Sequence, residues 1–381
     1  MTNRSPPTGR PLAFLFLGET LLIPHLYPIL ECLARELPAQ PIDAWVATAT
    51  HEALIGRWVR EQGLGNVRLR RAPGWRATPD PERGANPRLP AKLPMLARLA
   101  PRLSSAAAVV CAEQTSLWLP RVLGTRLLPP FIKTSHGVGT MSARDDRRRH
   151  AAALTLVPSE AERNTYLSRG MPAERIVATG YVKAAFRHLA TCKPDFANPR
   201  PVILYNPHWQ RHRSSWWDWG PQAIERILSS ARFNLIFAPH QRLLENATEL
   251  AGVCDELSRR DDAICDLDSF AAVDGSYPHA ADIYLGDTSS QVLEFLQRPR
   301  PACFLNPRGL DWRDDPALAM WKCGEVLSTL DDLVPALENA AAGRFVYGEE
   351  QARLVESWLG PADGSGADRA AAAIRQFLKL S

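Results

Sequence analysis

Short, uninterrupted apolar runs separated by helical stretches recur along the whole chain, and this alternation is the strongest constraint on its fold. Leu12 to Leu17, Ile42 to Ala47, Val67 to Leu69, Ala107 to Cys111, Phe131 to Thr134, Leu154 to Val157 and Ile176 to Ala178 read as strands. Helical stretches such as Glu52 to Arg60 and Ser159 to Ser168 lie between them. Apolar strands joined through helices pair in parallel, because each crossover has to return over the sheet before the next strand begins. A polar break flanked by prolines, Lys193 to Pro201, interrupts the pattern, which then restarts with Val202 to Tyr205, Leu235 to Ala238, Ile283 to Leu285 and Ala302 to Leu305. Helices are expected near Gln222 to Ser230, Leu243 to Ser258 and Ser290 to Gln297. The reading is an α/β chain of two Rossmann-like domains, 1–192 and 193–381. Their parallel sheets are expected to face across a ligand cleft at the carboxyl ends of the strands.

Composition agrees with two cores and excludes little else. The chain has 381 residues, 45% hydrophobic, enough to fill two domains. A formal charge of +4 gives no argument for nucleic acid, and nearly all the basic residues are arginine. Seven scattered cysteines with no C-x-x-C pair fit a reduced cytoplasm. The segment before Pro11 is short and polar, and no run of about 18 apolar residues occurs, which argues against a signal peptide or a membrane span. Residues 72–104 depart from the pattern, being rich in proline and arginine and including LPAKLPMLARLAPRL at 89–103. This stretch is either an ordinary surface loop with a short helix or a basic surface for an anionic membrane or acidic polymer, with Pro94 and Pro101 breaking any long amphipathic face. The cluster RDDRRRH at 144–150 reads the same way.

The chemistry concentrates where strands end. In ADIYLGDTSSQVLEF, residues 281–295, a buried strand runs into Asp287, Thr288, Ser289 and Ser290 and then a helix. Hydroxyls, unpaired amides and the positive helix end make such a turn a phosphate site, or simply a capped helix. SHGVGT at 135–140 sets His136 at a strand tip beside Gly137, and NLIFAPHQR at 234–242 does the same for His240. A neutral imidazole takes a proton from an attacking hydroxyl, and a charged one steadies a phosphate oxygen. In NPHWQRHRSSWWDW at 206–219, His208 and His212 are four apart, but the loop character argues against a metal site. Its tryptophans beside arginines suit a sugar or base, or the closing of a domain interface.

The order SHGVGT, VPSEAERNTYLSRG, TGYVKAAF, LYNPHWQ, APHQR and GDTSSQVLEFLQRPRPACFLNP, over residues 130–310, resembles the CDP-glycerol glycerophosphotransferase family, which includes teichoic acid primases and polymerases. The sequence carries Ser135 where that family has a tryptophan, a proline before rather than after His240, and Val182-Lys183 where the family has proline and arginine. The resemblance implies a GT-B architecture in which part of the segment after Arg344 packs back toward the first domain. It also implies no metal, no cofactor and a CDP-activated glycerol- or ribitol-phosphate donor. His136 and His240 would be the catalytic pair, and Asp287, Thr288, Ser289 and Ser290 the donor phosphate site. Gly137, Lys183, Trp209 and Arg242 would contact substrate. The acceptor would be a glycan or lipid-linked polymer, with the enzyme in the cytoplasm or peripheral at the inner face of the membrane. A nucleotide-sugar glycosyltransferase or sugar epimerase of the same architecture is the alternative, although Leu17-Gly18-Glu19-Thr20 lacks an arginine-proline-glutamate triplet. A catalytically dead nucleotide-binding partner is the third reading.

Overall fold

A computed structural model of the chain describes residues 9–124, 126–137, 147–190 and 194–380. They form two compact units: Met1–His188 together with Glu356–Ser381, and Leu189–Val355. The first unit is built on β1 Leu12–Phe16, β2 Ile42–Thr48, β3 Val67–Arg76, β4 Ala108–Cys111, β5 Phe131–Thr134, β6 Leu154–Val157 and β7 Ile176–Ala178. These pair in parallel in the order β3-β2-β1-β4-β5-β6-β7. Helices α1 Tyr27–Glu36, α2 Ala49–Glu61, α3 Lys92–Leu103, α4 Trp118–Leu123 and α5 Glu160–Ser168 make the crossovers. β1 and β4 are buried along their whole length, as a central parallel strand covered on both faces has to be.

The second unit holds β8 Val202–Asn206, β9 Asn234–Phe237, β10 Ala263–Cys265, β11 Ile283–Gly286, β12 Ala302–Leu305 and β13 Glu325–Leu327. Their order is β10-β9-β8-β11-β12-β13, again all parallel. Its helices are α6 Trp216–Ser229, α7 Leu250–Leu257, α8 Ala271–Asp274, α9 Ser276–Ala280, α10 Ser290–Phe295 and α11 Leu333–Ala341. One core cluster joins Trp216, Ile224 and Ile227 of α6 and Leu333 and Leu337 of α11 to the sheet. The chain then runs through α12 Gly348–Leu359 to α13 Gly366–Leu378.

The units differ from the division 1–192 and 193–381 in two places: the break falls between His188 and Leu189, and residues 356–381 pack with the first unit. The reason is visible in α13, whose small apolar face of Ala367, Ala370, Ala371 and Ile374 is fully buried. It lies against α1 and the turn Val182–Ala185. Arg369 Nε donates to Thr179 O at 2.7 Å, and Arg375 pairs with Glu36 at 3.0 Å. At Gly366 a Cβ would stand 2.9 Å from Tyr181 O, so only glycine lets the helix approach so closely.

Three other readings are corrected. The expected helix Leu243 to Ser258 is a 3-10 turn, Gln241–Glu245, followed by α7. α3 is one continuous helix despite Pro94 and Pro101: Pro94 falls in the first turn, where amides have no intrahelical partner, and Pro101 gives up an amide bond so near the end that only the last turn is affected. The cysteines are not all free thiols, since Cys254 of α7 and Cys265 of β10 form a disulfide with Cα atoms 5.2 Å apart. Packing α7 against the edge strand brings the two together. Cys192 and the acidic part of RDDRRRH lie outside the described residues. Among the described residues, no helix is long and apolar enough to cross a membrane.

Candidate functional site

In each sheet the strand order reverses beside the first strand, between β1 and β4 in one unit and between β8 and β11 in the other. At such a switch point successive crossovers leave on opposite faces, and a crevice opens at the carboxyl ends of the strands. The switch point of the second unit carries Asp287 and the serine turn singled out from sequence, whereas in the first unit His136 follows β5, one strand away from the switch point.

In the second unit, β11 ends at Gly286, where φ is +151° and a Cβ would sit 2.8 Å from Asn206 O at the end of β8. The close approach lets Asp287 reach across to the β8–α6 loop. Its carboxylate accepts from His208 N at 2.9 Å and from Ser215 N at 3.0 Å. Asp287 is buried, and burial pushes its pKa up to about 7 against the pull of those amide donors. With its oxygens so engaged, Asp287 ties the end of β11 to the β8–α6 loop. Ser289 is the N-cap of α10, its Oγ accepting from Gln291 N at 3.2 Å, and Ser290 is exposed at the first helical position. α10 is only six residues long, so the helix dipole contributes less here than a long helix would. Thr288 Oγ1 is buried with no hydrogen-bond partner among the described residues.

Three aromatic groups line the neighbouring strand ends. His208 and His240 have ring centroids 5.8 Å apart, and Trp209 lies 6.1 Å from His240. Arg242 stacks over Trp209 at 3.9 Å while pairing with Glu245 at 3.4 Å. His240 Nδ1 accepts from Arg242 N at 3.2 Å, and His208 Nδ1 accepts from Gln210 N at 3.0 Å. Burial lowers both imidazoles, to about 4 and about 3, with Arg242 and His240 respectively adding to the effect. Both rings are therefore neutral near pH 7, with the proton on Nε2 as a donor. Arg308 donates to Arg211 O and Ser214 O at 3.0 and 3.1 Å, tying down the loop that carries these groups.

The first unit has the opposite arrangement. His136 follows β5, and its Nδ1 lies 2.7 Å from Ala112 O at the end of β4. A carbonyl only accepts, so Nδ1 carries the proton and Nε2 presents a lone pair. Burial lowers the His136 pKa to about 3, helped by the charges of Lys133 and Arg149. Lys133 on β5 is completely buried and donates to Thr134 O. Desolvation and then Arg149 bring its pKa down to about 7. At the switch point itself, Glu113 presses so close to Gly18 that any Cβ there would collide with it, and Lys92 bridges Glu113 at 2.6 Å and Leu17 O at 2.5 Å. Lys183 is buried, and its charge is one cause of the depressed pKa of His25. Gly137 follows His136 at the same strand end; the rest of the SHGVGT turn lies outside the described residues.

Sequence reasoning missed several groups. Gln241 and Gln114 each bury both amide atoms, and Thr20 Oγ1 and Ser116 Oγ are buried too, all without a hydrogen-bond partner among the described residues. Unsatisfied polar atoms at strand ends are costly unless something pairs with them. The signal available in sequence was position: Gln241 follows His240, and Gln114 follows the β4 tip. Among the described residues, no group of three or more His, Cys, Asp or Glu side chains could hold a metal ion, His208 and His212 included.

Fold and strand-end chemistry together define the chain as an α/β protein of two parallel sheets in the GT-B class. No protein-family pattern matches it, and no curated protein is detectably similar in sequence. Solved structures are similar in fold. S. aureus MnaA in complex with UDP is 14% identical, with a TM-score of 0.62 and 98% of each chain covered. The wall teichoic acid polymerase TagF, in a structure with CDPG, is 15% identical, with a TM-score of 0.61, covering 97% of this chain and 89% of that one. UDP-GlcNAc 2-epimerase from Neisseria meningitidis bound to UDP-GlcNAc is 12% identical, with a TM-score of 0.58, covering 96% and 99%.

Proposed function

We propose that this chain is a transferase that moves a glycerol- or ribitol-phosphate group from a CDP-activated donor to a hydroxyl of a glycan or teichoic-acid-like acceptor. The observation that carries the reading is the opposed tautomers: a lone pair on His136 Nε2 and a proton on His240 Nε2. The acceptor O–H attacks the donor phosphorus, a new O–P bond forms, the anhydride bond to CMP breaks, and the acceptor proton passes to His136 Nε2. His240 Nε2–H, with Thr288 and the Ser289-Ser290 turn, donates to the donor diphosphate, and the Trp209–Arg242 stack contacts the base or polyol. His136 starts as a weak base because burial first, and then the charges of Lys133 and Arg149, disfavour its cation; the negative diphosphate offsets those charges as it arrives. Lys183 and Gly137 belong to the acceptor side. TagF with CDPG supports a CDP-linked donor for this fold.

A nucleotide-sugar reading, as glycosyltransferase or epimerase, is favoured by one observation, the likeness in fold to the epimerase bound to UDP-GlcNAc beside that to TagF. Calorimetry with CDP-glycerol, CDP-ribitol, UDP-GlcNAc and CMP-linked sugars separates the two. Binding of a CDP-polyol at least tenfold tighter than UDP-GlcNAc, or about 1.4 kcal/mol, is the expected result. Preference for UDP-GlcNAc would replace the transferase with the sugar-nucleotide reading.

A further inference from the structure

Five buried polar atoms on the two turns that flank the switch point of the first unit have no hydrogen-bond partner among the described residues. They are Thr20 Oγ1, His25 Nδ1, Ser116 Oγ and both amide atoms of Gln114. Thr20 and His25 begin and end the 3-10 turn Thr20–His25 that follows β1; Ser116 lies in the turn Thr115–Leu117 that follows β4, with Gln114 just before it. The two strands pair with Leu15 beside Cys111, and a Cβ at Gly18 would collide with the Glu113 carboxylate, so the turns adjoin. His136 reaches the same place, since its Nδ1 is seated on Ala112 O, two residues before Gln114. The backbone here is well held. Asn86 Oδ1 accepts from Thr20 N at 3.3 Å, Thr115 Oγ1 donates to Glu113 at 3.0 Å, and Lys92 bridges Glu113 to Leu17 O. A buried donor or acceptor left unpaired forfeits its hydration, and native proteins keep few of them, so five on adjoining turns ask for a partner.

The chemistry of the set selects that partner. None of the five atoms carries a charge: burial, then Lys183 and then His136, hold the His25 pKa well below the usual imidazole range, so its ring is neutral. An amide supplies an acceptor and a donor group, and a hydroxyl both donates and accepts. Such a mixed neutral set is matched by other hydroxyls. A phosphate or carboxylate only accepts and would leave Gln114 Oε1 facing an anion; an apolar ligand would leave all five atoms unpaired. The charged groups at these strand ends are already engaged. Glu113 holds Lys92 and Thr115, Lys133 donates to Thr134 O, and Arg149 and Lys183 have partners of their own. The strand ends of the second unit differ, since His240 Nε2–H and the serine turn offer donors that suit an anion.

We propose that Gln114, Thr20, Ser116 and His25 form a subsite for the hydroxyls of an uncharged polyol, next to His136. That one bound hydroxyl is the attacking acceptor rests on the transferase reading; that the subsite takes hydroxyls does not. The full chain, with no donor present, is titrated with ribitol and with a pentanediol that keeps the length but only the two end hydroxyls, and binding is followed by ligand-detected NMR. Ribitol is expected to bind at least about tenfold more tightly than the diol, through the hydroxyls that the diol lacks. Gln114→Met keeps the size and removes both amide atoms, and should weaken ribitol by about 4- to 100-fold, from two neutral hydrogen bonds at about 2- to 10-fold each. Thr20→Val, of the same shape, should weaken it by about 2- to 10-fold. Without ligand the Gln114→Met protein should melt no lower than the parent, because its amide has no partner to lose; a glutamine that served only the fold would behave in the opposite way. Inorganic phosphate should not displace ribitol. A parent that does not bind ribitol, ribitol held no tighter than the diol, unchanged ribitol affinity in the folded variants, a Gln114→Met protein melting well below the parent, or displacement by phosphate would overturn the subsite. Preference for UDP-GlcNAc in the donor calorimetry would instead remove the transferase reading, and the ribitol titration would stand.

Discussion

His136 and His240 are both held neutral by burial, yet one presents an acceptor and the other a donor, because of what each Nδ1 touches. Under the proposed mechanism this asymmetry assigns the base. His136→Ala should lower turnover by roughly 10²- to 10⁴-fold with donor affinity nearly kept, as loss of proton transfer in the transition state requires. Turnover within a few-fold of the parent would remove it as base. Lys133 offers a sharper test. Its buried charge disfavours the His136 cation, so Lys133→Met should raise the His136 pKa and move the acid limb of kcat/KM to higher pH. A pH–rate profile with its acid limb unmoved would show that Lys133 does not act on His136. Lys133 could not be singled out from the sequence, because a lone lysine in a strand such as FIKT is ordinarily solvated. Only the placement of β5 between β4 and β6, beneath covering helices, makes it a fully buried amine.

The strand-end turns explain how much of the site could be read in advance. Central strands announce themselves as continuous apolar runs, whereas β10 and β13 escaped notice as three-residue edge strands, β13 carrying an exposed Glu325. GDTSS was legible as a strand-to-helix turn, but the division of labour inside it was not, since it depends on contacts from residues 208 and 215. Asp287 holds three loop amide contacts, and Ser289 Oγ accepts from the helix while its O–H can still donate; under the proposed reading the Thr288, Ser289 and Ser290 hydroxyls and the free amides therefore face the phosphate. Two outcomes follow. Asp287→Asn puts an NH₂ against a donor amide and should destabilise the second unit by about 1–3 kcal/mol in urea unfolding. Ser289→Ala with Ser290→Ala should weaken donor binding by about 1–3 kcal/mol, because hydrogen bonds to a charged group are lost. An Asp287→Asn protein as stable as the parent, or a folded double serine variant with unchanged donor affinity by calorimetry, would contradict these roles.

Across the whole molecule, the buried titratable groups give stability a direction in pH. His51, His136, His208 and His240 have pKa values lowered to about 4, 3, 3 and 4, chiefly by desolvation. In the unfolded chain each takes up a proton near pH 6.5. Between about pH 6.5 and about pH 4 the unfolded state therefore binds more protons than the native state, and acid favours unfolding by up to about 1.4 kcal/mol per pH unit for each histidine. Asp287 works the other way. Its native pKa of about 7 lies above the unfolded value, so the native state holds the extra proton over the same range and cancels one histidine. Lys133 reinforces the histidines at higher pH, since its native pKa of about 7 lies well below that of a free lysine, and stability rises with pH from there toward about pH 10. The net expectation is a urea midpoint that falls steeply from about pH 7 to about pH 5. The Asp287→Asn protein should fall more steeply still, because the opposing proton is gone. A midpoint flat over that range would mean that these imidazoles titrate in the native state as they do in the unfolded chain, so that burial does not hold them neutral.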